Sequence, residues 1–266
     1  MSGLRDIPSE TKIRKFIRRI LFGKNLFCPE CKNRQVVSCQ NRYYCSRCRR
    51  RFSLLSHTWL ANCKISLPRL WVILWCWTAQ VPISQAESIG GLSKKAVRYW
   101  YTAFRSHLPQ DQAVLEAIIQ LDEAYFGGWK GQTLLMAKQK GTRKLAYRIL
   151  PHVEPSRTDA ISFVRAYVKP GSILCTDGFS IYTDIDQFHS LKHRVDIHKA
   201  WEYSQTSEIE GVFGNLRTFI RRMYHHTTAK QLPEIVSEFC FRFSHPEMFK
   251  NPRYYLQNSL YLVPTG

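Results

Sequence analysis

The hydrophobic residues of this chain follow one pattern in its first half and another in its second. Before residue 109 they recur at the three- and four-residue spacing of helices, whereas after residue 115 apolar strand-like runs alternate with helical stretches. The helical spacing predicts helices over residues 67–80, 84–89, 93–104, 157–168, 206–223 and 232–243. The strand-like runs predict strands over residues 117–126, 133–138, 144–153 and 172–176. A domain boundary is therefore expected at residues 109–113.

One apolar segment needs comparison with a membrane span. Residues 70–83 are mostly apolar, but they are fewer than a bilayer requires and include Pro82. The first ten residues lack the apolar core of a secretory signal. We therefore expect no membrane partner and a reducing, cytoplasmic setting.

Charge is distributed unevenly along the chain. The sequence holds 39 Lys and Arg against 20 Asp and Glu, a net charge of +19. Residues 1–60 carry 14 basic and 3 acidic residues, whereas residues 111–266 carry 19 and 16. A gradient this steep favours a polyanionic partner, with nucleic acid ahead of a membrane surface, and hence association with the nucleoid.

Four cysteines have the spacing of a metal site. Cys28 and Cys31 form one C-x-x-C pair and Cys45 and Cys48 a second, with thirteen residues between the pairs. Two such turns complete the tetrahedral shell of one structural Zn²⁺, and short strands at residues 35–38 and 42–44 predict a zinc ribbon. The other five cysteines are interpreted as small core residues. Beside the site lie the candidate DNA-binding residues Arg47, Arg49, Arg50 and Arg51.

A helix-turn-helix is predicted after the ribbon. Ser84 is expected to cap a short helix, Gly90 and Gly91 to turn the chain, and Ser93 to cap a second helix. That second helix carries the candidate DNA-binding residues Lys94, Lys95 and Arg98. The alternative is ordinary three-helix packing, with the core formed by Val97, Trp100, Tyr101 and Phe104.

Three acidic residues are the candidate catalytic residues. Asp122 lies on a predicted strand, Asp177 follows another strand, and Glu210 lies near the start of a helix. Strand alternation implies that only one of Asp122 and its neighbour Glu123 can face the site. If the three acids converge, divalent cations must offset their repulsion, and oxygen ligands suit two Mg²⁺ or Mn²⁺ ions. Arg217 and Arg221 share the helix side of Glu210 and are candidate phosphate contacts.

The ordered motifs resemble DDE transposases of bacterial and archaeal insertion sequences, in the Merlin-related, ISXO2-like group that carries a zinc ribbon. The resemblance rests on the two cysteine pairs and on short motifs at residues 122–128, 176–178 with Tyr182, 209–211, 224–226, 238–239 and 241–243. It implies an RNase H-like α/β core in which Asp122, Asp177 and Glu210 bind two metal ions. It further implies cleavage at the terminal inverted repeats of an element and strand transfer into double-stranded target DNA, without a covalent protein intermediate.

The chain departs from the family pattern at two positions. Ser207 stands where the family commonly has Asn, and Arg217 where it commonly has Lys. Ser207 leaves Glu210 as the strongest third ligand and Glu208 as the alternative. His198 matches a recurring family histidine, and His225 and His226 match a family position whose role the sequence does not define.

Three segments are expected: a zinc ribbon with basic flanks over residues 1–60, a helix-turn-helix segment over residues 61–110, and a catalytic domain over residues 111–266. A homodimer is expected because two DNA ends must be cut and joined together. Two alternatives remain open, an RNase H-like nuclease that does not join ends and a non-catalytic DNA-binding regulator.

Overall fold

Two β-sheets organise the computed structural model, which describes residues 7–40, 42–109, 112–127, 131–196, 206–225 and 227–263. The chain divides into two compact units, Met1–Pro109 with Glu247–Gly266 and Gln110–Pro246. The last twenty residues therefore group with the N-terminal region, whereas the sequence analysis assigned all of residues 111–266 to one catalytic domain.

The first unit opens with a helix and a three-stranded antiparallel sheet. Helix α1 spans Glu10–Phe22, and the strands are β1 (Val36–Cys39), β2 (Arg42–Cys45) and β3 (Arg51–Ser53). The predicted ribbon strands match β1 and β2, and β3 adds a third strand. Ile13 and Ile17 of α1 are buried one helical turn apart, so their spacing marks a helix that the sequence analysis missed.

Three helices follow the ribbon: α2 (Leu67–Thr78), α3 (Ile83–Gly90) and α4 (Lys94–Ser106). Ser93 caps α4 as predicted, because its hydroxyl accepts the Ala96 N–H at 3.3 Å. The predicted cap at Ser84 is wrong, since α3 already begins at Ile83 and has no side-chain cap. Gly90 lies inside α3, where an added Cβ would lie 2.2 Å from Ile73 Cδ1, so α2 and α3 pack too closely for a side chain there.

The second unit contains a five-stranded sheet and three helices. Its elements are β4 (Ile118–Phe126), β5 (Gln132–Gln139), β6 (Leu145–Leu150), α5 (Arg157–Tyr167), β7 (Ile173–Thr176), β8 (Lys192–Val195), α6 (Ser207–Tyr224) and α7 (Leu232–Ser244). The strand order is β6-β5-β4-β7-β8. Strands β4, β5 and β6 are antiparallel, whereas β7 runs parallel to both β4 and β8.

Alternate residues of β4 face opposite sides of this sheet. Ile119 and Leu121 are fully buried in a core with Phe163 and Val164 of α5. Gln120 and Asp122 therefore point to the other face, on which α6 contacts β4 and β5. The buried face holds the sheet to α5, and the opposite face carries the polar residues considered below.

The chain returns to the first unit at its end. Helix α8 spans Pro252–Ser259, and Asn251 caps it by accepting the N–H groups of Arg253 and Tyr254. Tyr255 of α8 is fully buried and donates its hydroxyl to the Phe104 carbonyl of α4 at 2.7 Å. Its ring also packs edge-on against Trp77 of α2, with centroids 5.1 Å apart. Among the described residues, no helix is both long enough and apolar enough to cross a bilayer.

Candidate active site and zinc centre

The four ribbon cysteines converge on one point. The Sγ atoms of Cys28 and Cys48 are 3.6 Å apart, and those of Cys31 and Cys45 are 3.5 Å apart. All four sulfur atoms lie within 4.8 Å of one another. Tetrahedral zinc with Zn–S bonds of about 2.3 Å requires sulfur separations of about 3.8 Å, so the residues present fit this ion.

Each C-x-x-C pair lies on the same type of turn. The Cys28 carbonyl accepts the Lys32 N–H, and the Cys45 carbonyl accepts the Arg49 N–H, each at 2.9 Å. Lys32 and Arg49 both have positive φ, near 59° and 58°. The two turns thus present their thiols in equivalent ways, as a closed four-thiolate centre requires.

The thiols differ in how readily they ionise. The backbone N–H of Cys48 lowers the pKa of Cys45 to about 6, whereas burial raises the pKa of Cys28 to about 12. Metal binding requires thiolates, so the positive charge of zinc would stabilise the ionised form of Cys28. This asymmetry is consistent with a structural metal that completes the local fold.

The predicted DNA-binding residues of the first unit are solvent-exposed. Exposed positions include Arg47, Arg49, Arg50 and Arg51 of the ribbon and Lys94, Lys95 and Arg98 of α4. Val97, Trp100, Tyr101 and Phe104 are buried on the opposite side of α4. The helix thus combines the predicted basic face with the core that the alternative interpretation proposed.

The interpretation of the remaining cysteines as core residues is only partly correct. Cys76, Cys175 and Cys240 are buried, but Cys39 is exposed and Cys63 is partly exposed. Cys39 is the last residue of β1, at an end of a small sheet that buries few side chains.

Three carboxylates meet on the second unit. Oxygens of Asp122, Glu123 and Asp177 all lie within 4.8 Å of one another. Strands β4 and β7 pair in parallel with Gln120 opposite Cys175, so the same register brings Asp122 level with Asp177. The expectation that only one of Asp122 and Glu123 could contribute is wrong. Hydrogen bonds from Tyr182 at 2.6 Å and Tyr125 at 3.4 Å hold the longer Glu123 side chain.

Burial and mutual repulsion perturb this cluster. Burial, together with the negative charges of Glu123, Asp177 and Glu210, raises the pKa of Asp122 to about 7, against the lowering effect of the Glu123 N–H. Burial also raises the pKa of Glu123. Carboxylates held together at this cost fit a site for hard divalent cations such as Mg²⁺ or Mn²⁺.

Glu210, on the first turn of α6, is not among the carboxylates whose oxygens lie within 4.8 Å of one another, so the predicted third acid is outside this cluster. Its charge contributes to the raised pKa of Asp122, and its Oε1 lies 3.3 Å from the Thr206 hydroxyl. The same hydroxyl lies 3.2 Å from Asp196 Oδ2, and Asp196 is a buried carboxylate directly after β8. Sequence reasoning missed Asp196 because no local pattern distinguishes it.

The alternative third ligand, Glu208, is engaged elsewhere. Its carboxylate accepts hydrogen bonds from Lys138 Nζ and from the Gly141 N–H, and Lys138 lowers its pKa. Glu210 thus remains the better candidate. Arg217 and Arg221 are exposed further along α6.

The histidines between the second and third acids have mainly structural partners where they are described. His189 Nε2 lies 2.8 Å from the Val168 carbonyl, and His193 Nε2 lies 2.9 Å from the Thr176 hydroxyl. His225 ends α6 with a positive φ near 60°. The positions of His198 and His226 fall outside the described residues.

A buried polar network accounts for part of the terminal motifs. Glu238 of α7 is fully buried and accepts hydrogen bonds from the Tyr224 hydroxyl at 2.6 Å and from Arg242 Nε at 2.8 Å. These residues link the end of α6 to α7. A structural role therefore explains the presence of Tyr224, Glu238 and Arg242 in these motifs.

The fold and the site together define a class of protein. A mixed sheet in the order β6-β5-β4-β7-β8, with carboxylates on β4 and directly after β7, is the arrangement of an RNase H-like core. Residues 114–244 match the family described as the ISXO2-like transposase domain. This match bears out the predicted resemblance to DDE transposases over these residues.

Two solved structures resemble the chain only distantly. A chain of the simian T-cell lymphotropic virus intasome in complex with PP2A regulatory subunit B56 gamma is 13% identical, with a TM-score of 0.37 over 64% of this chain and 67% of that one. The catalytic core domain of BIV integrase is 10% identical, with a TM-score of 0.33 over 49% of this chain and 82% of that one. At such scores neither likeness supports a functional conclusion. No curated protein matches the sequence.

Proposed function

We propose that this protein is an insertion-sequence transposase that binds the terminal inverted repeats of its element, cuts the DNA there and joins the freed ends to target DNA. The observation that carries the proposal is the meeting of Asp122, Glu123 and Asp177 within a transposase-family domain. Glu210 stands beside them on α6.

Asp122, Asp177 and Glu210 would hold the divalent cations, and Glu123 is an additional candidate ligand. Two Mg²⁺ or Mn²⁺ ions bound there would activate an attacking oxygen and stabilise the leaving oxygen of a phosphodiester. Tyr182 orients Glu123, and the Phe179 N–H orients Asp177 through a 3.0 Å hydrogen bond to Oδ1. These contacts hold the carboxylate oxygens in place before metal binds.

The first unit would bind the DNA ends. Its zinc ribbon presents Arg47, Arg49, Arg50 and Arg51 to solvent, and α4 presents Lys94, Lys95 and Arg98. Exposed guanidinium and ammonium groups of this kind bind phosphates, while side chains on one helix can read base edges. Arg217 and Arg221 would hold phosphate near the carboxylates. Two copies of the protein, each holding one DNA end, would form the joining complex on nucleoid DNA.

The test uses DNA that contains the protein's own recognition sites. A plasmid carrying the coding region with its natural flanking DNA is incubated with purified protein, zinc, Mg²⁺ and a second target plasmid. We expect excised and joined products from the wild-type protein. The variant Asp177→Asn should reduce both by at least about 1,000-fold, because it removes a charged ligand.

A matched control distinguishes the loss of one negative charge from the loss of a metal ligand. Asp186→Asn neutralises an exposed aspartate of the same unit that lies outside the cluster, and it should leave both products unchanged. Strand breaks without joined products would instead indicate a nuclease. Full biological function in Asp122→Ala would indicate a non-catalytic DNA-binding regulator.

A further inference from the structure

Two polar side chains are buried on the sheet face beneath the start of α6. Gln120 of β4 is fully buried and Lys138 of β5 is only 5% exposed. The two residues are directly opposite each other in the antiparallel pairing of these strands. Gln120 also precedes Asp122 by two positions, so both point to the α6 side of the sheet.

Both side chains bind the residues that immediately precede Glu210. Gln120 Oε1 accepts the Ile209 N–H at 3.0 Å in a buried hydrogen bond. Lys138 Nζ forms an ion pair with Glu208, and the Gly141 N–H, in the turn after β5, donates to the same carboxylate at 3.1 Å. Strands β4 and β5 thus hold Ile209 and Glu208, two successive residues of the helix that carries Glu210.

Such contacts fix helix position more strictly than apolar packing does. A slip of one residue along an α-helix changes its rotation by about 100° and its height by about 1.5 Å. Ile209 is itself fully buried, but apolar contacts are non-directional and define the helix position less sharply. The buried backbone hydrogen bond and the ion pair of the buried Lys138 ammonium define it more sharply, since a displaced partner leaves a buried polar group unsatisfied.

We propose that Gln120 and Lys138 are positioning residues that set Glu210 against Asp122 and Asp177. The proposal rests on the proposed function, in which Glu210 helps to hold the catalytic cations. Gln120 of β4 and Lys138 of β5 would thus align Glu210, a ligand that lies about 70 to 90 residues later in the chain. Neither residue touches the metal ligands in this role, and each acts through the first turn of α6.

The experiment measures Mn²⁺ binding to the zinc-loaded full-length protein. We expect Lys138→Met to weaken Mn²⁺ binding by roughly 10-fold, the usual effect of losing a residue that orients a metal ligand. The control is Lys169→Met, which makes the same substitution and breaks the exposed ion pair of Lys169 with Glu116 in the same unit. The control should bind Mn²⁺ as the wild-type protein does.

Glu208→Gln covers the case in which Lys138→Met folds poorly, and a double-mutant cycle extends the test where both variants fold. Glu208→Gln is the milder change, because its side chain is 33% exposed and keeps an acceptor for the Gly141 N–H. It should weaken Mn²⁺ binding less than Lys138→Met, and the double variant should bind no more weakly than Lys138→Met alone, because both changes break one contact.

Two results would overturn the proposal: unchanged Mn²⁺ affinity in both single variants, or strictly additive losses in the double variant. Failure of the proposed function is distinguishable from these results. In that case the wild-type protein would bind Mn²⁺ but would neither cut nor join DNA. The affinity comparison among the variants would still decide whether the contact of Lys138 with Glu208 positions the helix, and Gln120→Leu, which removes the acceptor of the Ile209 N–H, would decide the same for Gln120.

Discussion

At Asp122, burial and neighbouring negative charge act in the same direction. Burial with the charges of Glu123, Asp177 and Glu210 raises its pKa from 3.8 to about 7. Because the folded-state pKa is raised, the stability associated with the protonated acid is fully present below pH 3.8 and is lost as the pH rises through about 7. The metal-free protein therefore loses stability over this window, and bound cations should restore it.

Thermal unfolding of the zinc-loaded protein tests this effect. Without Mg²⁺, the Asp122 contribution should lower the free energy of unfolding by about 2 kcal/mol between pH 5.5 and pH 7. Added Mg²⁺ should raise the melting temperature more at pH 8 than at pH 5.5, because the carboxylates are then ionised. In Asp122→Asn, the pH dependence should shrink by this amount. A wild-type and variant protein with the same pH profile would contradict the assignment.

Individual site residues were predictable to different degrees. The rule that ligand sites lie beyond strand ends favoured Asp177, which follows the short apolar strand β7, whereas Asp122 lies in the middle of the longer β4. Strand alternation predicts that Glu123 faces away from Asp122, so Glu123 was not a candidate. Alternation fixes only the direction of the Cα–Cβ bond, however, and the three side-chain torsions of Glu123, with the hydrogen bond from Tyr182, bring its oxygens back to the cluster. Asp196 approaches Glu210 through Thr206, a contact between distant segments that no local pattern encodes.

Helix α4 divides its surface between a core and a basic face. Trp100 and Phe104 stack with ring centroids 5.8 Å apart on the buried side, while Lys94, Lys95 and Arg98 are exposed. The exposed charges make no contribution to this packing. They can be replaced without loss of the fold, which allows DNA binding to be tested separately from stability.

Neutralising this face should change the salt dependence of DNA binding. In a triple variant with Lys94, Lys95 and Arg98 replaced by Gln, the slope of log K against log salt should fall by up to about 2.7, since each phosphate contact contributes about 0.9. The melting temperature should stay the same. Fluorescence anisotropy on DNA from the element end gives the slope.

The control removes three charges from the other unit. Arg157, Arg165 and Lys169 are exposed residues on or directly after α5, and their replacement by Gln makes an equal change in net charge. The slope should change little in this variant. Equal losses in both triple variants would indicate general polyanion attraction and would count against a dedicated role for α4.

At the level of elements, long periodic segments were predicted and short or atypical ones were not. The helices at residues 157–168, 206–223 and 232–243 correspond to α5, α6 and α7 within a few residues, because each buries one regular apolar stripe. Strand β8 has only four residues, none of them fully buried, and it depends on pairing with β7. Its sequence therefore carries no strand signal of its own.

For the whole molecule, the main departure from the sequence analysis is the return of the chain to its first unit. The strand-and-helix pattern of the sequence shows no second break after residue 110 and therefore predicts one domain there. Residues from Glu247 onward instead group with the N-terminal region. Tyr255 is central to this packing, since it is fully buried among Trp59, Trp77 and Phe104.

Truncation of this tyrosine should destabilise one unit selectively. Tyr255→Ala should lower the stability of the first unit by roughly 3–5 kcal/mol, the usual cost of emptying a buried aromatic site. Calorimetry should show an earlier transition for this unit, with reduced DNA affinity and unchanged Mn²⁺ binding by the second unit. Tyr261→Ala is the control, because Tyr261 is 61% exposed and its loss should cost less than about 0.5 kcal/mol. Simultaneous loss of both transitions would show that the units unfold together.

The position of α8 also orders events during synthesis. A ribosome completes α1 to α4 early, but Tyr255 emerges only after the whole catalytic unit has been made. In the nascent N-terminal region, Trp77 and Phe104 therefore stay partly uncovered until α8 has left the ribosome and Tyr255 can pack against them. A message that ends prematurely yields a chain that has its zinc ligands but lacks the closing helix, so fragments of this protein should compete poorly for DNA with the finished product.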